Sequence, residues 1–74
     1  MTPEYHFETF RWRGLFNAAT RDGRSLRQIA LDAGITPKYF SQLMNHEADG
    51  KYIRPYTVDK LARALDIDRK ELVV

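Results

Sequence analysis

The stretch DAGITPKYFSQLMN, Asp32 to Asn45, decides how the chain is read. Gly34 and the Thr36-Pro37 pair stand between two short segments whose apolar residues recur at helical spacing. After the proline, Phe40, Leu43 and Met44 fall on one side of a helix, and Lys38, Ser41, Gln42 and Asn45 on the other. Thr36 is a good N-cap, and Pro37 stands at the first helical position, where a missing N–H costs nothing. In the preceding segment Leu26, Ile29, Ala30 and Ala33 fall within an arc of about 100°. Ser25 is its N-cap, and Gly34 ends it in a conformation that needs positive φ. The residues Gly34 to Thr36 are too few to turn the chain back antiparallel, so the two helices must cross steeply. Ile35 plugs the junction, and Ala30 is small enough to let the backbones approach.

Outward from this unit, helical patterns continue. Trp12, Leu15, Phe16 and Ala19 form a stripe that Gly23 stops. Thr57 can cap a segment with Val58, Leu61, Ala62 and Leu65 on its apolar face, and Asp68 can cap a last short turn carrying Leu72. The reading is all-α, one domain over residues 1–74, with five helices at about 8–21, 26–33, 37–45, 57–65 and 69–73 and one long connection over 46–56. At the N-terminus, Tyr5 to Glu8 alternate like a strand while Thr2-Pro3-Glu4 reads as a helix start. Residues 1–7 are a candidate N-terminal arm.

With 74 residues, stability must come from a small core. The chain has no cysteine, so disulfide and thiolate chemistry are excluded and a reducing cytoplasm is expected. No apolar run approaches the roughly 20 residues that span a bilayer, no signal-peptide pattern opens the chain, and the initial Met is read as a natural start. Net charge is only +2, but Arg11 to Arg54 carries eight Lys/Arg against four acids. That local excess points toward a polyanionic partner.

Three runs carry a family likeness: Ser25-Leu26-Arg27-Gln28-Ile29-Ala30, then Ala33-Gly34-Ile35-Thr36-Pro37, then Tyr39-Phe40-Ser41-Gln42-Leu43. With Leu61-Ala62-Arg63-Ala64-Leu65-Asp66-Ile67 and Glu71-Leu72, they resemble the lambda-repressor-like helix-turn-helix family (Cro/CI type, XRE family) over about residues 12–73. The resemblance implies that the second helix of the unit enters a DNA major groove. It implies base contacts from Pro37, Lys38, Ser41 and Gln42, with Asn45 ending the same face. The chemistry of that face agrees, since Gln pairs bidentately with adenine and Lys reaches guanine O6 and N7. Phosphate contacts are expected from Arg24, Ser25, Thr36 and Tyr39, and from Lys51, Tyr52, Arg54 and Tyr56 in a connection longer than is common in the family. Glu47 and Asp49 would have to turn away from the DNA, which a hairpin-like tip at Asp49-Gly50 achieves. Family members often pair an Arg late in the first helix with a Glu near the end of the recognition helix. Here those positions are Ala19 and Met44, expected to meet as an apolar pair. Pro37 can offer a base only apolar surface.

Tyr5, Phe7 and Phe10 exceed what the first helix can bury, and serve either the core or a dimer contact. His6 and His46 lie far apart without partners at metal-ligand spacing, so no metal is expected, and nothing calls for a cofactor. No Ser/His/Asp or paired-carboxylate constellation points to an enzyme. The leading expectation is a sequence-specific double-stranded DNA-binding transcription regulator, a phage- or bacterial-type repressor acting as a homodimer on a pseudo-palindromic operator in the cytoplasm. The other is a protein-interaction module, such as an antitoxin-like chain or an assembly partner, for which DNA binding is secondary.

Overall fold

The computed structural model describes residues 7–74. They are mostly helical, with α1 at Trp12–Asp22, α2 at Leu26–Ala33, α3 at Pro37–Leu43 and α4 at Pro55–Leu65. Two 3-10 turns, His46–Ala48 and Arg69–Glu71, and two short antiparallel strands, β1 (Glu8–Thr9) and β2 (Tyr52–Ile53), complete the architecture.

Local chemistry sets most boundaries of the central unit. Ser25 Oγ accepts the Gln28 N–H at 3.1 Å and Thr36 Oγ1 accepts that of Tyr39 at 3.1 Å. Each cap satisfies one of the amides that a helix start leaves without a partner, and removing one costs roughly 1 kcal/mol. Gly34 takes φ 76°, while Ile35 N–H donates to Ala30 and Gly34 N–H to Leu31. Those are the two bonds of a Schellman ending. The same pair of bonds closes α4, from Ile67 to Ala62 and from Asp66 to Arg63, with Asp66 in the left-handed region at φ 55°. α2 packs against both α3 and α4, and Ala30 at its centre is fully buried, as the close approach requires.

Four expectations are corrected. Residues 8–11 are extended rather than the first turn of α1. Phe10 N–H donates to Lys51 and Gly50 N–H to Phe10, while on the opposite edge Arg11 N–H donates to Leu72 and Val74 N–H to Thr9. Pairing on both edges, together with burial of Phe10 to 1% exposure, outweighs any local helical preference. Phe10 is therefore core rather than a dimer contact; burying such a side chain contributes roughly 1.5–3 kcal/mol. Second, α4 begins at Pro55, so Thr57 lies buried in its first turn instead of capping it. Pro55 is pre-set for the first helical position, as Pro37 is in α3. Third, α3 ends at Leu43, before Met44 and Asn45. Fourth, the segment 69–73 holds a single 3-10 turn, capped by Asp68 as expected, and then Leu72 and Val73 enter the core. Tyr5 and the reading of residues 1–6 lie outside the described residues.

The core is one cluster. Leu15, Ile29, Phe40, Ile53, Val58, Leu61 and Leu72 are essentially inaccessible, Ala19 belongs to it, and Met44 packs against it. Gly14 marks where α1 passes the chain end: a Cβ built there would overlap the Glu71 carbonyl, a backbone atom that cannot swing aside. Gly14→Ala is therefore expected to destabilise the fold by about 3 kcal/mol, readable as a lowered urea midpoint with an unchanged m-value.

An ion network ties the two chain ends. Arg69 donates to Glu8 Oε1 at 2.9 Å and to Asp59 Oδ1 at 2.8 Å. The hydrogen bonds from Arg69 hold the Glu8 carboxyl below its ordinary value of 4.5. Because the folded-state value is depressed, the stabilisation is present above pH 4.5 and is lost as pH falls through the folded value. Glu8→Gln should therefore be less stable than the wild type at pH 7, with the gap narrowing as pH falls below 4.5; a gap independent of pH would show that the pair does not contribute.

Candidate nucleic-acid interface

Lys38, Ser41 and Gln42 are spaced i, i+3 and i+4 on α3, so they share one face, and all three are exposed. Phe40 and Leu43, on the opposite face, are buried and fix the helix to the core. Pro37 is half-buried at the start of the helix, and Tyr39 is half-buried against the core. Lys38 is in no ion pair among the described residues. The hydroxyls of Ser25 and Thr36 accept amide protons in their capping bonds and keep their own O–H groups to donate outward.

Asn45 lies past the end of this helix. It is extended (φ −79°, ψ 132°), and its Oδ1 accepts the Glu47 N–H at 2.9 Å, capping the 3-10 turn. An asparagine finds an amide two residues on more readily than it prolongs a helix. Arg24 is also withdrawn from its expected role. Its guanidinium donates to Asp22, to Asp32 Oδ2 at 2.8 Å and to the Ala64 carbonyl at 2.7 Å, binding α1, α2 and α4 together. Arg24 hydrogen bonds hold the Asp22 carboxyl below its usual value. The Gln28 amide, ahead of Arg24, does the same for Asp32. The guanidinium itself is held firmly protonated by Asp22 and Asp32.

The connection after α3 turns as the sequence suggests. Lys51 N–H donates to Ala48, Asp49 is extended and Gly50 has φ 82°, which together make a type II turn. This turns Asp49 toward α1, where its Oδ1 accepts the Trp12 N–H at 3.0 Å and caps the helix, whose own Arg11 supplies no cap. The returning limb carries Lys51, Tyr52 and Arg54, all exposed. A groove of about 340 Å³ runs between this limb and α3, walled by Tyr39, Gln42, Asn45, Glu47, Lys51 and Tyr52 over Phe10, Leu43 and Ala48. Tyr56 instead lines a separate groove of about 520 Å³ between α2 and α4, where Lys60 Nζ stands 4.3 Å from its ring centroid. Phe7, half exposed, leans on Tyr52 with ring centroids 6.2 Å apart.

Three residues of this surface were not legible as such in the sequence. Glu47 remains on the groove wall although Asp49 turns away. Lys60 reaches from α4 to the Gly34 carbonyl at 3.4 Å, just before α3. Trp12 reads as one more member of the α1 stripe, yet its indole N–H reaches the Met44 carbonyl at 2.7 Å. Its being the chain's single tryptophan is the only signal that marks it.

Comparison with protein-family models, with curated proteins and with solved structures returns no match to this chain. Among the described residues no helix is long and apolar enough to cross a membrane.

Arg24→Ala should lower the Tm, because Asp22 and Asp32 lose their shared partner, and should leave the salt dependence of any polyanion binding unchanged. A shallower salt slope in that variant would return Arg24 to the contact surface.

Proposed function

We propose that the chain is a sequence-specific double-stranded DNA-binding regulator that reads the major groove with α3. The observation that carries this reading is the exposed Lys38, Ser41 and Gln42 face on a helix bolted to the core through Phe40 and Leu43. An amide, a hydroxyl and an ammonium are donors and acceptors matched to base edges, and a short rigid mount lets them discriminate. The resemblance to the lambda-repressor-like helix-turn-helix family supports the same docking, with Pro37 offering apolar surface to a thymine methyl. Ser25, Thr36, Lys51, Tyr52 and Arg54 are the groups proposed to hold phosphates on either side, with Tyr39 and Tyr56 nearer the margins. As a repressor, the chain would act as a homodimer on a pseudo-palindrome with half-sites about 34 Å apart. Of the residues expected at such a contact, Phe7 is exposed and available.

The half-exposed Phe7 and the well-exposed Tyr52 favour a second reading, a protein-interaction module whose DNA binding is secondary. Selection of bound sites from random duplex DNA, followed by titration at several salt concentrations, separates the two. The DNA reading requires affinity that falls steeply with salt. It requires Gln42→Ala to lose about 1–3 kcal/mol on the selected site and much less on random duplex. Arg54→Ala should weaken both about equally and flatten the salt slope by about one. Equal losses on both duplexes for Gln42→Ala would remove it as a reader of bases.

A further inference from the structure

Trp12 holds the connection after α3 at three separate points. Its indole Nε1–H donates to the Met44 carbonyl at 2.7 Å, and its backbone N–H donates to Asp49 Oδ1 at 3.0 Å. Its ring meets His46 edge-on, with centroids 4.5 Å apart, and stacks on Phe16 at 4.9 Å. The two bonds bridge sequence separations of 32 and 37 residues, so no local pattern supplies them. Each also meets a need of both partners. Met44, at the end of α3, has a carbonyl without a helical partner, and α1 has no cap of its own. Core packing alone does not ask for tryptophan: a phenylalanine fills the same stripe but brings no donor.

The far limb of this connection is held differently, by backbone bonds from Phe10 to Lys51 and from Gly50 to Phe10. The near limb, residues 44–49, carries the end of α3 on one side and Glu47 of the groove wall on the other. Gln42 and Lys51 both line the groove, and residues 44–49 join the two segments that carry them.

We infer that Trp12 is a positioning residue for the proposed interface, clamping residues 44–49 to α1 and so fixing the spacing between Gln42 on α3 and Lys51 and Tyr52 across the groove. The clamp stands on the structure alone; its effect on recognition rests on the DNA-binding reading. Neither contact with DNA nor bulk burial is the role assigned to Trp12. Its indole donor acts through the segment it holds.

The test uses the full chain. Trp12→Phe keeps a smaller aromatic ring against Phe16 and His46 and removes the indole donor. Amide hydrogen exchange of the free protein should show residues 45–51 opening about two- to tenfold more readily, the range one net hydrogen bond supports, with the α2 and α4 core amides little changed. Preference for the selected duplex over random duplex should fall by a similar factor, with the salt slope unchanged because the phosphate contacts are the same in number. Asp49→Ala removes the second anchor from an exposed position and should loosen the same amides, which keeps the test decisive if Trp12→Phe fails to fold. Uniformly faster exchange across the chain would reduce Trp12 to a packing residue. Unchanged exchange at 45–51, or a loosened connection with intact discrimination, would equally overturn the inference. A wild type without salt-dependent duplex binding would overturn the DNA reading itself, and the exchange measurement would then decide the clamp separately.

Discussion

Everything in this small fold leans on the extended run Thr9–Arg11, which has backbone partners on both edges. One edge takes the limb that returns from α3, at Gly50 and Lys51, and the other takes the chain end, at Leu72 and Val74. Three segments far apart in sequence are thereby joined by amide-to-carbonyl bonds that satisfy their backbone polar groups, while Phe10 between them sinks into the core. A strand pair this short has no independent stability. It persists because the helices close over Phe10, Ile53, Leu72 and Val73, and the helices close because those residues fill the space between them.

Around that junction the charged residues divide into two populations. Arg24 and Arg69 are consumed in networks that tie helices and chain ends to one another, each with two carboxylate partners. Such exposed or half-exposed pairs contribute modestly to stability, and their value lies more in fixing where elements meet. Lys38, Lys51 and Arg54 are left in no ion pair among the described residues; Lys38 lies on the exposed face of α3 and Lys51 lines the groove beside it. The local basic excess between Arg11 and Arg54 is therefore redistributed by folding. Arg24 is neutralised by Asp22 and Asp32, while Asp49 is engaged at the start of α1.

The central unit was legible because its determinants are local. A hydroxyl accepts from an amide three residues on, a glycine takes positive φ, and a proline suits a first helical position wherever these residues occur. So the start and end of α2, the start of α3, the Asp49-Gly50 turn and the Asp68 cap follow from short windows of sequence. Pro55 obeys the same rule as Pro37, and reading it so would have placed the start of α4 correctly. The end of α3 was misread because helical spacing continues through Asn45, whereas the backbone there obeys a side-chain cap on the following turn. Within the candidate interface, Lys38, Ser41 and Gln42 were visible through their i, i+3, i+4 spacing. Lys60 and Trp12 were not, since each acts toward an element distant in sequence.

By itself the sequence determined which segments coil, where α2 and α3 meet and which side of α3 stays polar, because caps, turns and amphipathic spacing are decided within a few residues. Only the tertiary structure decided that residues 8–11 are extended, that Phe10 is core, that Arg24 is a brace and that Asp49 caps α1. Each of those outcomes depends on a backbone or side-chain partner tens of residues away, whose arrival no local propensity encodes.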